Sequence, residues 1–220
     1  SFSLSGLSRF RVSTYKQRGS LAAVIRVIAF QLPDHTELGI PDSIIHLADF
    51  NNGLVLVTGT AGSGKSTTLA CMIDHINKTR AEHIITLEDP LEFVHRHNKS
   101  IVSQREVVTD TESYITALRA ALRQSPDVIL LGEMRDFETI STAMTAAETG
   151  HLLLSTLHTV GAAKTIDRIV DVFPANQQQQ VRVQLSMVLR AVVSQRLVPT
   201  VDGTQVPVFE VMTINPAIQN

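Results

Sequence analysis

The chain has 220 residues, 44% of them hydrophobic and 5% aromatic, with 19 Lys and Arg against 21 Asp and Glu for a net charge of -2. That size and balance suit a globular protein of one or two domains and count against a surface built to neutralise a nucleic-acid backbone, so no nucleic-acid partner is expected. No apolar run nears the roughly 18 to 20 residues that span a bilayer, so no direct membrane insertion is expected, and the single cysteine, Cys71, excludes an internal disulfide and a four-cysteine zinc site and favours a reducing cytoplasm.

The opening "SFSLSGLSRF" lacks the basic and apolar regions of a signal peptide and an initiator methionine, as expected of a piece of a longer chain. Residues 7 to 30 read as two strands around a turn at Gln17 to Ser20, belonging to a small domain whose earlier part is missing. Prolines 33 and 41 mark a connection. From Asn51, apolar runs alternate with helical patterns: "GLVLVTG", "KSTTLACMIDHINKTR", "HIITLE", "TESYITALRAALRQ", "PDVILLGE", "DFETISTAMTAAETG" and "HLLLSTLH". Such alternation predicts an α/β fold with a mainly parallel sheet and crossover helices. Asp136 is the expected N-cap of one helix, and Gly150 and Pro126 mark the ends of two. Beyond Pro174, the spacing of Val181, Leu185, Val188, Leu189 and Val192 predicts one amphipathic helix, with the glutamines at 177 to 180 on a solvated face. "RLVPTVDGTQVPVFEVM" reads as a hairpin pivoting on Asp202 and Gly203 at the domain edge. The resulting division is 1–33 for the N-terminal remnant, 34–50 for the connection and 51–220 for the main domain.

"GTAGSGKST", comprising Gly59, Thr60, Ala61, Gly62, Ser63, Gly64, Lys65, Ser66 and Thr67, fits G-x-x-x-x-G-K-[ST] between a strand and a helix. The glycines let backbone N–H groups turn toward a phosphate, Lys65 reaches the outer phosphates, the helix N-terminus adds partial positive charge and Ser66 is placed to hold Mg²⁺. ATP and Mg²⁺ are the cofactors this implies.

Ligands of a parallel sheet sit beyond the carboxyl ends of its strands. "HIITLEDPLEF" delivers Glu88, Asp89 and Glu92 there, and "PDVILLGEMRD" delivers Glu133, Arg135 and Asp136. A cation offsets the mutual repulsion of such carboxylates, and one carboxylate is needed to position or deprotonate the attacking water. Glu88 and Glu92 are both candidates for that role, Glu133 is a candidate for metal, and helix capping or ion pairing is the plain alternative for each. Gly132 stands where a Walker B segment often carries a metal-holding Asp.

His151 and His158 bracket the apolar run "GHLLLSTLHT". Seven residues apart on an extended strand they point to opposite faces, which excludes a directly shared ion. Arg9 and Arg11 alternate along one strand, Arg18 falls in the turn and Arg26 on the next strand.

The segments "GTAGSGKSTT", "ITLEDPLEFVH", "LLGEMRDFETI" and "GHLLLSTLHT", in this order and spacing, resemble the Walker A, Asp box, Walker B and His box of the type II/type IV secretion ATPases. The likeness runs from about Ser8 to the end of the chain, and "AAKTIDRIVDVFPANQQQQVRVQLSMVLRAVVSQRLVP" is similar to the twitching-motility, pilus-retraction branch. Assembly and secretion members usually carry a four-cysteine zinc module that Cys71 alone cannot build. The resemblance implies a RecA-like P-loop ATPase core preceded by the C-terminal part of a small α/β PAS-like domain, a homo-oligomer that is a hexamer, and an inner-membrane pilus platform protein as partner at the inner face of the cell membrane. It makes His151 and His158 the His box, one sensing the γ-phosphate and the other coupling to a neighbouring subunit or domain. It places Arg11, Arg26 and Arg18 as charges on the nucleotide, with Arg168 a weaker candidate. Thr60 and Ala61 depart from the family's Pro-Thr at positions that contribute backbone. The family's "AIRNLIRE" motif would lie in a helical region beyond "NPAIQN", so hydrolysis is expected of this chain more readily than retraction. A regulatory nucleotide-binding subunit, an assembly or secretion ATPase and a RecA-type DNA motor are the competing readings.

Overall fold

In the computed structural model, which describes residues 2–4, 8–28 and 32–219, the strand and helix patterns resolve into two separate sheets. The first is antiparallel and comprises β1 (Phe2–Leu4), β2 (Ser8–Gln17) and β3 (Ser20–Ile28). Arg18 and Gly19 close its hairpin with positive φ angles of 49° and 81°, the mirror-image turn that matches strand twist. The register sets Arg11 directly opposite Arg26. Leu7, Ala29 and Phe30, expected within this strand pair, lie outside the described residues.

Residues 34–50 are more than a tether. They carry α1 (Asp42–Ile45) and a 3-10 turn over His46–Asp49, and Ile44, Ile45, Leu47 and Ala48 are buried in the core of the larger sheet. That sheet contains β4 (Gly53–Thr58), β5 (His83–Glu88), β6 (Ile101–Glu106), β7 (Val128–Leu131), β8 (Leu152–Leu157), β9 (Leu189–Pro199) and β10 (Gln205–Thr213). Its strand order is β10-β9-β4-β8-β7-β5-β6, parallel throughout except for the antiparallel edge strand β10. The mainly parallel α/β architecture expected from the alternation is the one observed.

The helices α2 (Lys65–Thr79), α3 (Tyr114–Ala121), α4 (Phe137–Glu148), α5 (Ala162–Asp171) and α6 (Gln178–Val188) cover the two faces, and α7 (Pro216–Gln219) closes the described chain. Successive side chains of β4 serve both cores: Leu54 and Leu56 pack with α3 and α4, while Val55 and Val57 pack with α2. Strands buried on both faces read as continuous apolar runs, which is why β4, β7 and β8 are legible. Each such side chain contributes about 1.5–3 kcal/mol by leaving water. Among the described residues no helix is long and apolar enough to cross a membrane.

One predicted element is corrected. The amphipathic helix expected through Val192 ends at Val188, and Leu189 and Val192 belong to β9, in the core beside β4. Leu185, Val188, Leu189 and Val192 are all buried, so the apolar spacing satisfies helix and strand in turn and periodicity alone cannot mark the join. Asp136 caps α4 as expected, its Oδ1 accepting from the Thr139 N–H at 2.9 Å.

Candidate nucleotide site

The carboxyl end of β4 runs into the loop that opens α2, and the glycines decide its shape. Gly59 has φ 145°, and a Cβ there would sit 2.2 Å from the Gln195 carbonyl oxygen. Gly64, at φ 88°, starts α2, and a Cβ would meet Gln195 Nε2 at 2.8 Å. Only glycine combines these φ values with so close an approach by β9. The first turn of α2 holds no acidic residue and no side chain caps it, so its N–H groups face the loop with the helix's positive end. Lys65 is 7% exposed and its ammonium donates to the carbonyls of Gly59 at 3.0 Å and Thr60 at 2.8 Å. Burial draws its pKa down, opposed by the carboxylates of Glu92 and Glu133. The Ser63 hydroxyl is buried in this cradle with no protein partner, a polar atom suited to an anion's oxygen.

Lys65 and Ser66 share one cleft of about 300 Å³ with Glu88, Glu92, Glu133 and His158, together with Ala61 and Gly62 of the loop. The acids come from the ends of β5 and β7 and the histidine from the end of β8, the position at which open parallel sheets take their ligands. Glu133 is 8% exposed, Arg135 Nε lies 2.5 Å from its Oε2 and His158 Nε2 approaches the same oxygen to 3.4 Å. That carboxylate holds the Arg135 guanidinium more firmly protonated than usual. Glu133 and the exposed Ser66 hydroxyl are oxygen donors facing one space, which fits a hard dication such as Mg²⁺.

The two candidate acids for water differ. Glu88 is half-buried, and that burial pushes its carboxyl up to about 7 against the hydrogen bonds of Thr86 Oγ1 at 2.7 Å and, more weakly, Gln104. Glu92 is exposed and belongs also to a second recess of about 250 Å³ formed with Arg11, Arg26 and the Pro90–Phe93 segment. The arginine pair and the cleft therefore meet at Glu92.

Not every expected residue converges. Arg18 sits at the hairpin tip, outside both recesses. His151 lies before β8, at the opposite edge of the sheet from His158, where its Nδ1 is 2.9 Å from the Ala146 carbonyl and its own carbonyl accepts from Gly53. Arg168 is exposed in the last turn of α5, and Thr67 is half-buried in the first turn of α2.

Residues unread in the sequence complete the site. Gln195 Oε1 accepts from Thr68 Oγ1 at 2.7 Å, and its carbonyl and amide frame Gly59 and Gly64. Thr156 Oγ1 donates to the Gly132 carbonyl at 2.6 Å. A Cβ at Gly132 would meet the Tyr114 hydroxyl at 2.8 Å and the Leu87 carbonyl at 3.2 Å, so the usual Walker B aspartate would have to displace the tyrosine and crowd the backbone of β5. Thr156 follows Ser155, and Gln195 lies between Ser194 and Arg196, so neither stands out as a lone polar residue in its strand.

A family model for "Type II/IV secretion system protein" matches residues 3–210. The type IV pilus retraction ATPase PilT of Pseudomonas aeruginosa is 52% identical over 220 residues, covering 100% of this chain and 64% of its own. A twitching motility protein of Neisseria gonorrhoeae is 53% identical over 221 residues, covering 100% of this chain and 59% of its own. This chain thus spans about three fifths of the length of these relatives. A crystal structure of the pilus retraction motor PilT with bound ADP superposes with a TM-score of 0.96 at 55% identity, covering 99% of this chain and 64% of that one.

Proposed function

We propose, from the premise that this chain belongs to the type II/IV secretion system protein family, that it is the ATP-hydrolysing part of a ring motor that retracts type IV pili. The observation that carries this reading is the gathering of Lys65, Ser66, Glu88, Glu92, Glu133 and His158 around one cleft at the carboxyl edge of the sheet. The likeness of this whole chain to about three fifths of the retraction ATPases supports the task, and the oxygen-donor pair Ser66 and Glu133 supports Mg²⁺ as the cation.

The loop N–H groups and the α2 N-terminus grip the β- and γ-phosphates, and Lys65 exchanges its loop carbonyls for phosphate oxygens. Ser66 and Glu133 would hold Mg²⁺, which when bound neutralises phosphate charge. Glu92, exposed and beside the arginine pair, orients the water and takes its proton as the water oxygen bonds to the γ-phosphorus. The bond to the bridging oxygen breaks, and ADP and inorganic phosphate leave. Glu88, held by Thr86, positions the loop that carries Glu92. Arg11 and Arg26 offset the charge on the departing phosphoryl group, and His158 follows its departure through Glu133. Assembly as a hexamer, with a platform protein at the inner face of the membrane, is the setting the family resemblance supplies. Gly132 does not favour a merely regulatory subunit, because Glu133 already presents an acid to the cleft.

The test is steady-state ATP hydrolysis by the complete protein against protein concentration. A rate per subunit that climbs with concentration and is lost in Lys65→Ala, Glu92→Gln and Glu133→Gln supports the proposal. Nucleotide binding without turnover at any concentration refutes it.

A further inference from the structure

Away from the cleft, the 3-10 turn and the P-loop helix bring together two imidazoles and a carboxylate. Asp49 Oδ2 is 2.6 Å from His46 Nδ1, and Asp49 Oδ1 is 2.8 Å from His75 Nε2. One donor atom from each of the three residues lies within 4.8 Å of the other two. The imidazoles stand edge to face, their centroids 5.4 Å apart, so two nitrogens from separate elements aim at one carboxylate. Arg80 fixes the turn that carries Asp49 by donating to the carbonyls of Ala48 at 3.0 Å and Phe50 at 3.2 Å, and its own charge is paired with Glu82.

We propose that His46, Asp49 and His75 form a site for one borderline transition-metal dication of the zinc class, clamping the segment before β4 to α2. The donor chemistry selects the ion. Two imidazole nitrogens and one carboxylate oxygen suit Zn²⁺ or Co²⁺, while Mg²⁺ prefers oxygen and water and belongs to the nucleotide cleft. Metal–nitrogen and metal–oxygen distances of about 2.0–2.2 Å place tetrahedral donors roughly 3.3–3.5 Å apart. The two histidine–aspartate contacts therefore open slightly and the widest pair closes. The side chains of His46 and Asp49 are 61% and 47% exposed, which gives the ion an entry path and leaves its fourth position to water. On binding, each imidazole presents the nitrogen facing Asp49 as a lone pair and keeps its proton on the other nitrogen. Its consequence is mechanical: α2 begins at Lys65 and carries His75 on its later turns, so the ion ties the helix that holds the phosphate lysine to the chain entering β4.

The test uses the complete, tag-free protein, stripped with chelator and titrated with Co²⁺ in saturating Mg²⁺, following visible absorption and the thermal midpoint. The expected result is one equivalent bound per chain with a nitrogen-ligand spectrum, displaced by Zn²⁺, and a midpoint that rises with metal concentration. His46→Ala and His75→Asn each weaken binding about tenfold or more, and Asp49→Asn, which keeps the side chain's shape, does the same. Circular dichroism without metal checks that each variant is folded. Two results overturn the site: no saturable binding below millimolar Co²⁺, or undiminished binding in the folded His46→Ala and Asp49→Asn variants.

Discussion

His158 Nε2 lies 3.4 Å from Glu133 Oε2, so a residue just beyond β8 contacts the acid at the end of β7 across 25 positions of sequence. Arg135 reaches the same oxygen more closely, at 2.5 Å, which makes the histidine the partner free to exchange this contact for a phosphate oxygen. His158→Ala is accordingly expected to lower kcat for ATP by about 10²-fold, the scale of one preorganised hydrogen-bond donor to developing charge, with KM changed far less. Steady-state kinetics separate the two parameters, and a change confined to KM would show that His158 serves binding alone.

Glu88 links protonation to stability in an unusual direction. Burial lifts its carboxyl from 4.5 to about 7 in the folded chain. Between those values the native state holds a proton that the unfolded chain has released, so this group's stabilisation is full below pH 4.5, falls as pH rises toward 7 and is level above. Glu88→Gln, permanently neutral, removes that slope. Thermal midpoints from pH 5 to 8 should fall more steeply in the parent than in the variant, and hydrolysis by the variant should stay within about tenfold of the parent while Glu92→Gln loses about 10²-fold or more.

Gly132 tests the explanation for the missing Walker B aspartate. A methyl group there meets the Tyr114 hydroxyl at 2.8 Å and the Leu87 carbonyl at 3.2 Å. Gly132→Ala should destabilise by about 1–3 kcal/mol through overpacking. Adding Tyr114→Phe removes the nearer atom and should recover part of that loss. Urea denaturation of the two single variants and the double variant completes the cycle, and strictly additive effects would show that the hydroxyl is not the obstacle.

Gln195 sits deep in β9 and shows why part of the site was illegible. The phosphate loop, Glu88, Glu92, Glu133 and His158 lie at strand ends, where a polar residue breaks an apolar run and the motif declares itself. Gln195 meets Thr68 and frames Gly59 and Gly64 only because β9 pairs with β4, a tertiary fact without local signature. Strand β6 escaped for a related reason: it is an edge strand with Ile101 exposed and Ser103, Gln104 and Arg105 half-buried, a pattern too polar to stand out. The join of α6 and β9 hid because Val188 and Leu189 are buried in both elements. Gln195→Leu leaves the buried Thr68 hydroxyl unpaired, which should cost about 1–3 kcal/mol. Because the amide also shapes the loop at Gly64, ATP binding by isothermal titration should weaken as well. Stability lost with affinity intact would confine Gln195 to the core.

Arg11 and Arg26 are direct cross-strand partners, both exposed, and like charges so placed destabilise a sheet. The arrangement is offset only where negative charge sits between them, and Glu92 shares their recess from the Asp-box side. Neutralising one arginine should therefore relieve the sheet, raising the thermal midpoint slightly at low salt and hardly at all at high salt, because exposed charges are screened. Hydrolysis should move the other way. If the pair offsets phosphoryl charge, Arg11→Gln and Arg26→Gln each lower kcat by about 10³-fold, the scale of an arginine finger, while nucleotide binding persists. Kinetics at concentrations that assemble the wild type, set beside melting curves at two ionic strengths, read both effects from the same preparations. Opposite signs in stability and turnover identify charges kept for function, whereas a parallel loss of both makes the pair structural.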